Sequence, residues 1–511
     1  MRKHLKSVLI ISCALACGSL RAEFMLPAIL SDNMMLQRDK AVQIWGKGDD
    51  GTKVTVAFKD QVKTTVVKDG EWLVALDPEQ AGGPYEMKIT HGGIDVTIKN
   101  ILMGEVWLAS GQSNMQASLT GETYGAEAIN EPANDMIRLF DQERQVGGEP
   151  MTNTLKAGWR GVWSQANPAS RKNFSAVAYY FARDLQKALG VPVGISSASD
   201  GGTKAQFWTP LKTLKETPGC EATVAAALKA QAEFPVLKKA WEDALAEHIR
   251  KKQAEEKTGA GPLFYGRAPC LYYNGMIHPI RNFTIRGVIW YQGEDSSWTT
   301  AEALDYRNAL PTMIMGWRDA FQNPDMPFLF VQLPRLAEVG RDLPPTRESQ
   351  MLTEKNVKNT GMVVTVDVGD EIGLHPKLKR PIGLRLSALA QAKVYGKAVE
   401  FTGPRFRAAM VKGTEVVVSL DDIGQGVVST DGQPLKEFTI CGVDNKFFPA
   451  QAKIVGDTIV VSSDAVAKPV AVRYAWRNAV FGNLSGKNGF PVGPFRTDAF
   501  ELPEKNPTRK Q

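Results

Sequence analysis

A chain of 511 residues, 43% hydrophobic and 23% charged, has room for about three domains and the composition of an ordinary globular protein. That excludes a disordered chain, a collagen-like fibre and a small disulfide-stapled scaffold. The formal net charge of +6 does not describe a basic binding face, because Arg2, Lys3, Lys6 and Arg21 carry most of the excess and no acid stands among the first 22 residues. No nucleic-acid partner is implied.

Residues 1–22 read as a secretory signal. Arg2, Lys3 and Lys6 form its positive leading region, and Ser7–Gly18 is an apolar run too short to span a bilayer. Ala22 suits a cleavage site, although Leu20 is bulkier than the small residue usual two positions before it. A lipoprotein signal with Cys13 or Cys17 lipidated is the alternative. No later apolar run reaches the roughly 20 residues of a membrane-spanning helix. The expectation is therefore an exported protein, secreted or periplasmic, without a membrane span. Cys220, Cys270 and Cys441 remain after the signal, far apart and without metal-type spacing, so buried thiols are expected and no zinc or other metal.

Residues 23–100 alternate short strands with turns: Val42–Trp45, Val54–Phe58, Thr64–Val67, Trp72–Leu76 and Tyr85–Ile89. Asp69-Gly70 between two of them signals a two-residue hairpin. The expectation is a small β-sandwich that serves as a packing module. From 101 to 396 the pattern becomes strand, loop, helix. Glu105–Ala109 runs into Ser110-Gly111-Gln112-Ser113; Ser175 caps a helix bearing Val177, Phe181, Leu185 and Leu189, and Gly190 stops it. The strands Val193–Ile195, Val288–Tyr291, Phe328–Val331 and Met362–Val366 follow, with helices over Tyr306–Phe321 and Arg380–Tyr395. This alternation predicts an α/β domain with a parallel sheet covered on both faces and functional loops at the carboxyl ends of its strands. The stretch 221–257, rich in Ala, Lys and Glu, predicts a solvated helical insertion. A C-terminal β domain over 397–502 and a polar tail over 503–511 complete the chain.

Three strand ends carry unusual clusters. Gly111-Gln112-Ser113-Asn114-Met115 places a serine at a strand-to-helix turn, where helix amides can meet a developing oxyanion. It lacks the second glycine of the α/β-hydrolase elbow, and taken alone a plain helix cap is the favoured account of a serine there. Asp200-Gly201-Gly202-Thr203 offers close backbone approach and amide donors, or an ordinary turn. Gln292-Gly293-Glu294-Asp295 ends a buried strand with an amide and two acids. A serine nucleophile needs a base, usually histidine. Of five histidines, His4 falls in the signal, His91 in the N-terminal β module and His248 in the charged insertion. His375 lies on a strand-end loop, where a base belongs. His278, before Pro279, reads as structural or substrate-lining.

The blocks Glu105–Met115, Gly201-Gly202-Thr203, Tyr273–Ile277, Trp290–Glu294 and His375-Pro376 occur in the order of the sialate O-acetylesterases, carbohydrate esterases of the SGNH-hydrolase superfamily, which the chain resembles. Ala471–Trp476 and Pro494–Asp498 extend the likeness over nearly the whole mature chain. The resemblance implies a three-layer, flavodoxin-like SGNH domain flanked by the two β domains. It implies Ser113 as nucleophile, His375 as general base, a backbone N–H of Gly201 or Gly202 for the oxyanion, and the side-chain amide of Gln292 as a further oxyanion donor. Such enzymes commonly set an aspartate three residues before the histidine; here that position is Ile372. Asp370, Glu294 or a backbone carbonyl is left to orient the ring. The implied reaction is hydrolysis of O-acetyl esters on carbohydrate through an acyl-serine, without metal or cofactor, on O-acetylated sialoglycan or free sialic acid. Alternatives are an acetylesterase of another polysaccharide such as xylan, a glycoside hydrolase using Glu294, and a non-catalytic glycan-binding protein.

Overall fold

The computed structural model describes residues 24–153, 160–254, 256, 262, 266–336, 340–369 and 373–505. The expected signal and Asp370 lie outside them.

One strand, β1 (Ile94–Gly111), organises the fold. Its first half is mostly exposed or half-buried, with Ile98 turned inward, as in a sheet with one wet face; its second half is buried throughout, the pattern of a parallel sheet covered on both sides. The first half pairs antiparallel with Gly82–His91 across a Gly92-Gly93 turn, and Gly82–His91 pairs in turn with Lys53–Phe58. The sequence-based boundary near residue 100 thus falls inside a continuous strand. Asn100, at a φ of 56°, and the register shifts opposite it let the strand change partners without ending. Asp69 and Gly70, both at positive φ, form the anticipated tight turn, with Lys68 and Glu71 exchanging backbone hydrogen bonds of 2.9 and 3.1 Å.

The second half of β1 lies in the middle of a sheet that also contains β2 (Asn134–Asp141), β3 (Trp163–Ala166), β4 (Val193–Ser199), β5 (Gly287–Tyr291), β6 (Phe328–Val331) and β7 (Thr360–Val363). The order is β7-β6-β5-β1-β4-β2-β3, parallel except for β3. Successive side chains point to opposite faces. Val106, Leu108, Val288 and Trp290 enter a core shared with Val54, Val56 and Ile89 of the N-terminal sheet. Trp107, Ala109, Ile289 and Tyr291 enter the opposite core. That second core is closed by two helices, α1 (Ala176–Leu189) and α2 (Arg380–Lys393). As expected, the Ser175 hydroxyl caps α1 by accepting from Ala178 N, and Gly190 ends it in the left-handed conformation.

The predicted insertion is a single helix over Glu221–Gln253, buried only at Ala227 and laced by i,i+4 pairs such as Lys239–Asp243. Residues 405–496 form two four-stranded antiparallel sheets and a two-stranded one around their own core. Arg347 ties this part to the α/β sheet. Its buried guanidinium donates to the carbonyls of Leu333 and Pro334 and, across the junction, of Arg477 and Asn478. Cys220, Cys270 and Cys441 are free thiols. Among the described residues no helix is long and apolar enough to cross a membrane.

Candidate active site

Sheet register brings the three clusters together. Gly111 is paired with Ser199 of β4 on one side and Tyr291 of β5 on the other. From β1 the chain fills one side of the sheet before crossing to the other, and such a switch point opens a crevice at the strand ends. Gly111 has a φ of 139°, and a Cβ there would stand 2.1 Å from the Tyr291 carbonyl oxygen, so only glycine permits this approach. Gln112 N then donates to that carbonyl at 3.0 Å and starts the short helix Ser113–Gln116 as its N-cap.

Ser113 is consequently the first residue of the helix and not its cap. Its hydroxyl partner is His375 Nε2, at 2.7 Å. Ser113 is half-buried and His375 exposed, so the pair faces solvent. His375 sits on the loop between β7 and α2, with buried Pro376 beside it. His278 bonds the Met151 carbonyl at 2.8 Å, and His91 is buried against Phe24.

Beneath the pair lies buried Asn114, whose importance the sequence did not mark. Its Nδ2 donates to Glu294 Oε1 and, at 3.0 Å, to the Leu374 carbonyl, while its Oδ1 accepts from Lys379 Nζ. Glu294 is therefore not an orienter of His375. Its carboxyl is 2% exposed and bonded to Asn114, and Oε2 has no hydrogen-bond partner among the described residues. Burial pushes its pKa up, against the Asn114 bond and the charges of Lys379 and Arg341. Asp367, another acid near the base, is paired bidentately with Arg385 at 2.8 and 2.6 Å.

Gln292 also departs from expectation. It is fully buried, and its Nε2 donates to the Thr203 carbonyl at 3.0 Å and to Ser296 Oγ at 3.3 Å. An amide committed in this way braces the glycine loop from behind and is not aimed at a substrate oxyanion. Gly201 does approach the nucleophile: a Cβ on it would lie 3.2 Å from Ser113 Cβ. Gly202 follows at a φ of 72° and turns away, its missing Cβ facing Arg267. Asp200 anchors the loop, accepting from Tyr272 Oη at 2.7 Å and Arg144 Nη1 at 2.9 Å.

Residues 266–390 match the family of sialic acid-specific acetylesterases among the carbohydrate esterases. The sialate O-acetylesterases of Rattus norvegicus and Homo sapiens are each 27% identical, over 89% of this chain and 89% and 87% of their own lengths. A carbohydrate acetylesterase from Xanthomonas citri, known from its crystal structure, is 32% identical with a TM-score of 0.81, over 94% of this chain and 100% of that one. The chain belongs to this carbohydrate esterase family. In the esterase the matched segment contains Gln292, Glu294 and His375, whereas Ser113 and Gly201 precede it and join it only through the sheet.

Proposed function

We propose that this carbohydrate esterase is an exported serine esterase that removes acetyl groups from O-acetylated sialic acid through an acyl-serine intermediate. The observation that carries the reading is the 2.7 Å contact between Ser113 Oγ and His375 Nε2, in a chain of this family. His375 Nε2 takes the hydroxyl proton as Oγ attacks the acetyl carbonyl. The negative charge then developing on the carbonyl oxygen meets the backbone N–H of Ser113, one of the unpaired donors at the head of its helix, and that of Gly201 alongside. His375 returns the proton to the departing sugar oxygen, then takes one from a water molecule that attacks the acyl carbonyl and passes it to Ser113 Oγ as the acyl bond breaks and acetate leaves. No step calls on a metal or cofactor.

The relatives named for sialate support sialic acid as the sugar; the blocks around Ser113 act on the acetyl group and are shared with any O-acetyl substrate. A glycosidase reading is disfavoured, since Glu294 is buried away from any sugar.

Acetate release from O-acetylated sialosides and from acetylated xylan tests both parts. Ser113→Ala and His375→Ala are each expected to lose at least about 10⁴-fold in kcat, with the double variant hardly worse because the two act as one unit. Near wild-type acetate release by Ser113→Ala overturns the nucleophile. Cleavage of xylan acetates in preference to sialosides overturns the substrate.

A further inference from the structure

The loop that carries Gly201 to the nucleophile carries Gly202 to an arginine. Arg267 Nη2 donates to the Gly201 carbonyl at 3.2 Å, and a Cβ on Gly202 would fall 2.8 Å from Arg267 Cζ and 2.9 Å from each terminal nitrogen. Glycine at a φ of 72° thus provides the space in which this guanidinium rests. Three cations line this rim. Arg144 is committed to Asp200 at 2.9 Å and Lys204 to Glu302 at 2.7 Å, whereas exposed Arg267 has no carboxylate partner among the described residues.

The geometry points to Arg267 as the residue that binds the carboxylate of the substrate. The inference rests on the reading of sialic acid as substrate, and it supplies what the Ser113–His375 pair lacks, a contact that distinguishes an acidic sugar from a neutral one. A guanidinium presents a planar fork of donors that matches a carboxylate bidentately. Among the described residues its one hydrogen bond is to the Gly201 carbonyl, which orients that fork with its other donors turned to solvent. Through Gly202 and Gly201 the guanidinium stands within about 13 Å of Ser113 Cβ, counting about 3.8 Å between successive Cα atoms. A nine-carbon acidic sugar spans such a gap with its acetyl at Ser113 and its carboxylate at Arg267.

The test compares kcat/KM for an O-acetylated sialic acid methyl glycoside and for the same compound with its carboxylate methyl-esterified. Wild-type enzyme is expected to prefer the free carboxylate by about tenfold to a hundredfold, the range of a charge-assisted hydrogen-bonded pair. Arg267→Met is expected to bring that ratio close to one, mainly through KM, and Arg267→Lys to keep part of it. The ratio is taken within one protein, so a general loss of folding lowers both numbers and leaves it unchanged. An Arg267→Met ratio equal to wild type, or a wild-type ratio near one, overturns the role of Arg267 while the sialate reading stands. Wild-type enzyme that cleaves acetylated xylan but neither sialoside overturns the substrate reading, and this inference with it.

Discussion

Asn114 Nδ2 donates to the Leu374 carbonyl at 3.0 Å, so the residue after the nucleophile holds the residue before the base. One buried amide thereby links the helix at the end of β1 to the loop after β7, although these segments are 260 residues apart. The same amide group accepts from Lys379 and donates to Glu294, so both loops are pinned to one point.

Asn114→Ala is expected to lower kcat about tenfold to a hundredfold with little change in KM, because a displaced His375 impairs proton transfer more than binding. It also leaves the Glu294 carboxyl and the Lys379 ammonium without this partner, which is expected to cost about 1–3 kcal/mol of stability. Steady-state kinetics with thermal denaturation separate the two effects. Unchanged kcat with a lower Tm would reduce Asn114 to a packing role.

Two glycines near the nucleophile are expected to behave differently. At Gly111 an alanine meets the Tyr291 carbonyl at 2.1 Å from a left-handed backbone, and Gly111→Ala is expected to lose more than about 4 kcal/mol and fail to accumulate. At Gly201 the added Cβ comes tightest to Ser113 Cβ, at 3.2 Å, with Gln116 Oε1 at an ordinary 3.6 Å, and a shift of a few tenths of an ångström relieves it. Gly201→Ala is expected to fold and to lose about tenfold or more in kcat through the displaced nucleophile. Expression yield, Tm and kcat distinguish the pair.

Gln292→Ala probes whether this amide braces the loop or meets the oxyanion. Loss of its bond to the buried Thr203 carbonyl is expected to cost about 1–3 kcal/mol. Loss of an oxyanion donor would instead cost about 10²–10³ in kcat at unchanged stability. The expected result is a lowered Tm with a rate loss below about a hundredfold. The reverse pattern would return Gln292 to the oxyanion.

Glu294 is expected to show in the pH dependence of stability. Burial raises its folded-state pKa above the ordinary 4.5, so the folded protein binds this proton more tightly than the unfolded chain does. As pH rises past 4.5 the unfolded chain ionises first, and wild-type enzyme loses stability that Glu294→Gln, which carries no such proton, keeps. The Tm of the variant relative to wild type should increase between pH 4 and pH 8. A difference that stays flat or decreases would mean that Lys379 and Arg341 outweigh burial.

Much of this architecture follows from local chemistry that any reader of the sequence can apply. Asp69-Gly70 makes its turn because only such residues accept positive φ at both positions. Ser175 and Gly190 bound their helix because one hydroxyl and one missing Cβ satisfy its ends. The continuous apolar run of Val288–Tyr291 marks a strand buried on both faces. Ser113 and His375 were legible for a related reason: so few residue types perform acyl transfer that a serine at a strand end and one well-placed histidine stand out. Hydrogen-bond direction and side-chain burial were not legible in this way. Gln292 reads as an exposed donor until the fold turns its amide toward Thr203, and Glu294 reads as a free acid until Asn114 covers it. Arg267 is an unremarkable surface arginine until Gly202 is seen to make room for it. Residue type and spacing are properties of the chain. Which donor faces which acceptor is settled only when strands distant in sequence lie in register and exclude water between them.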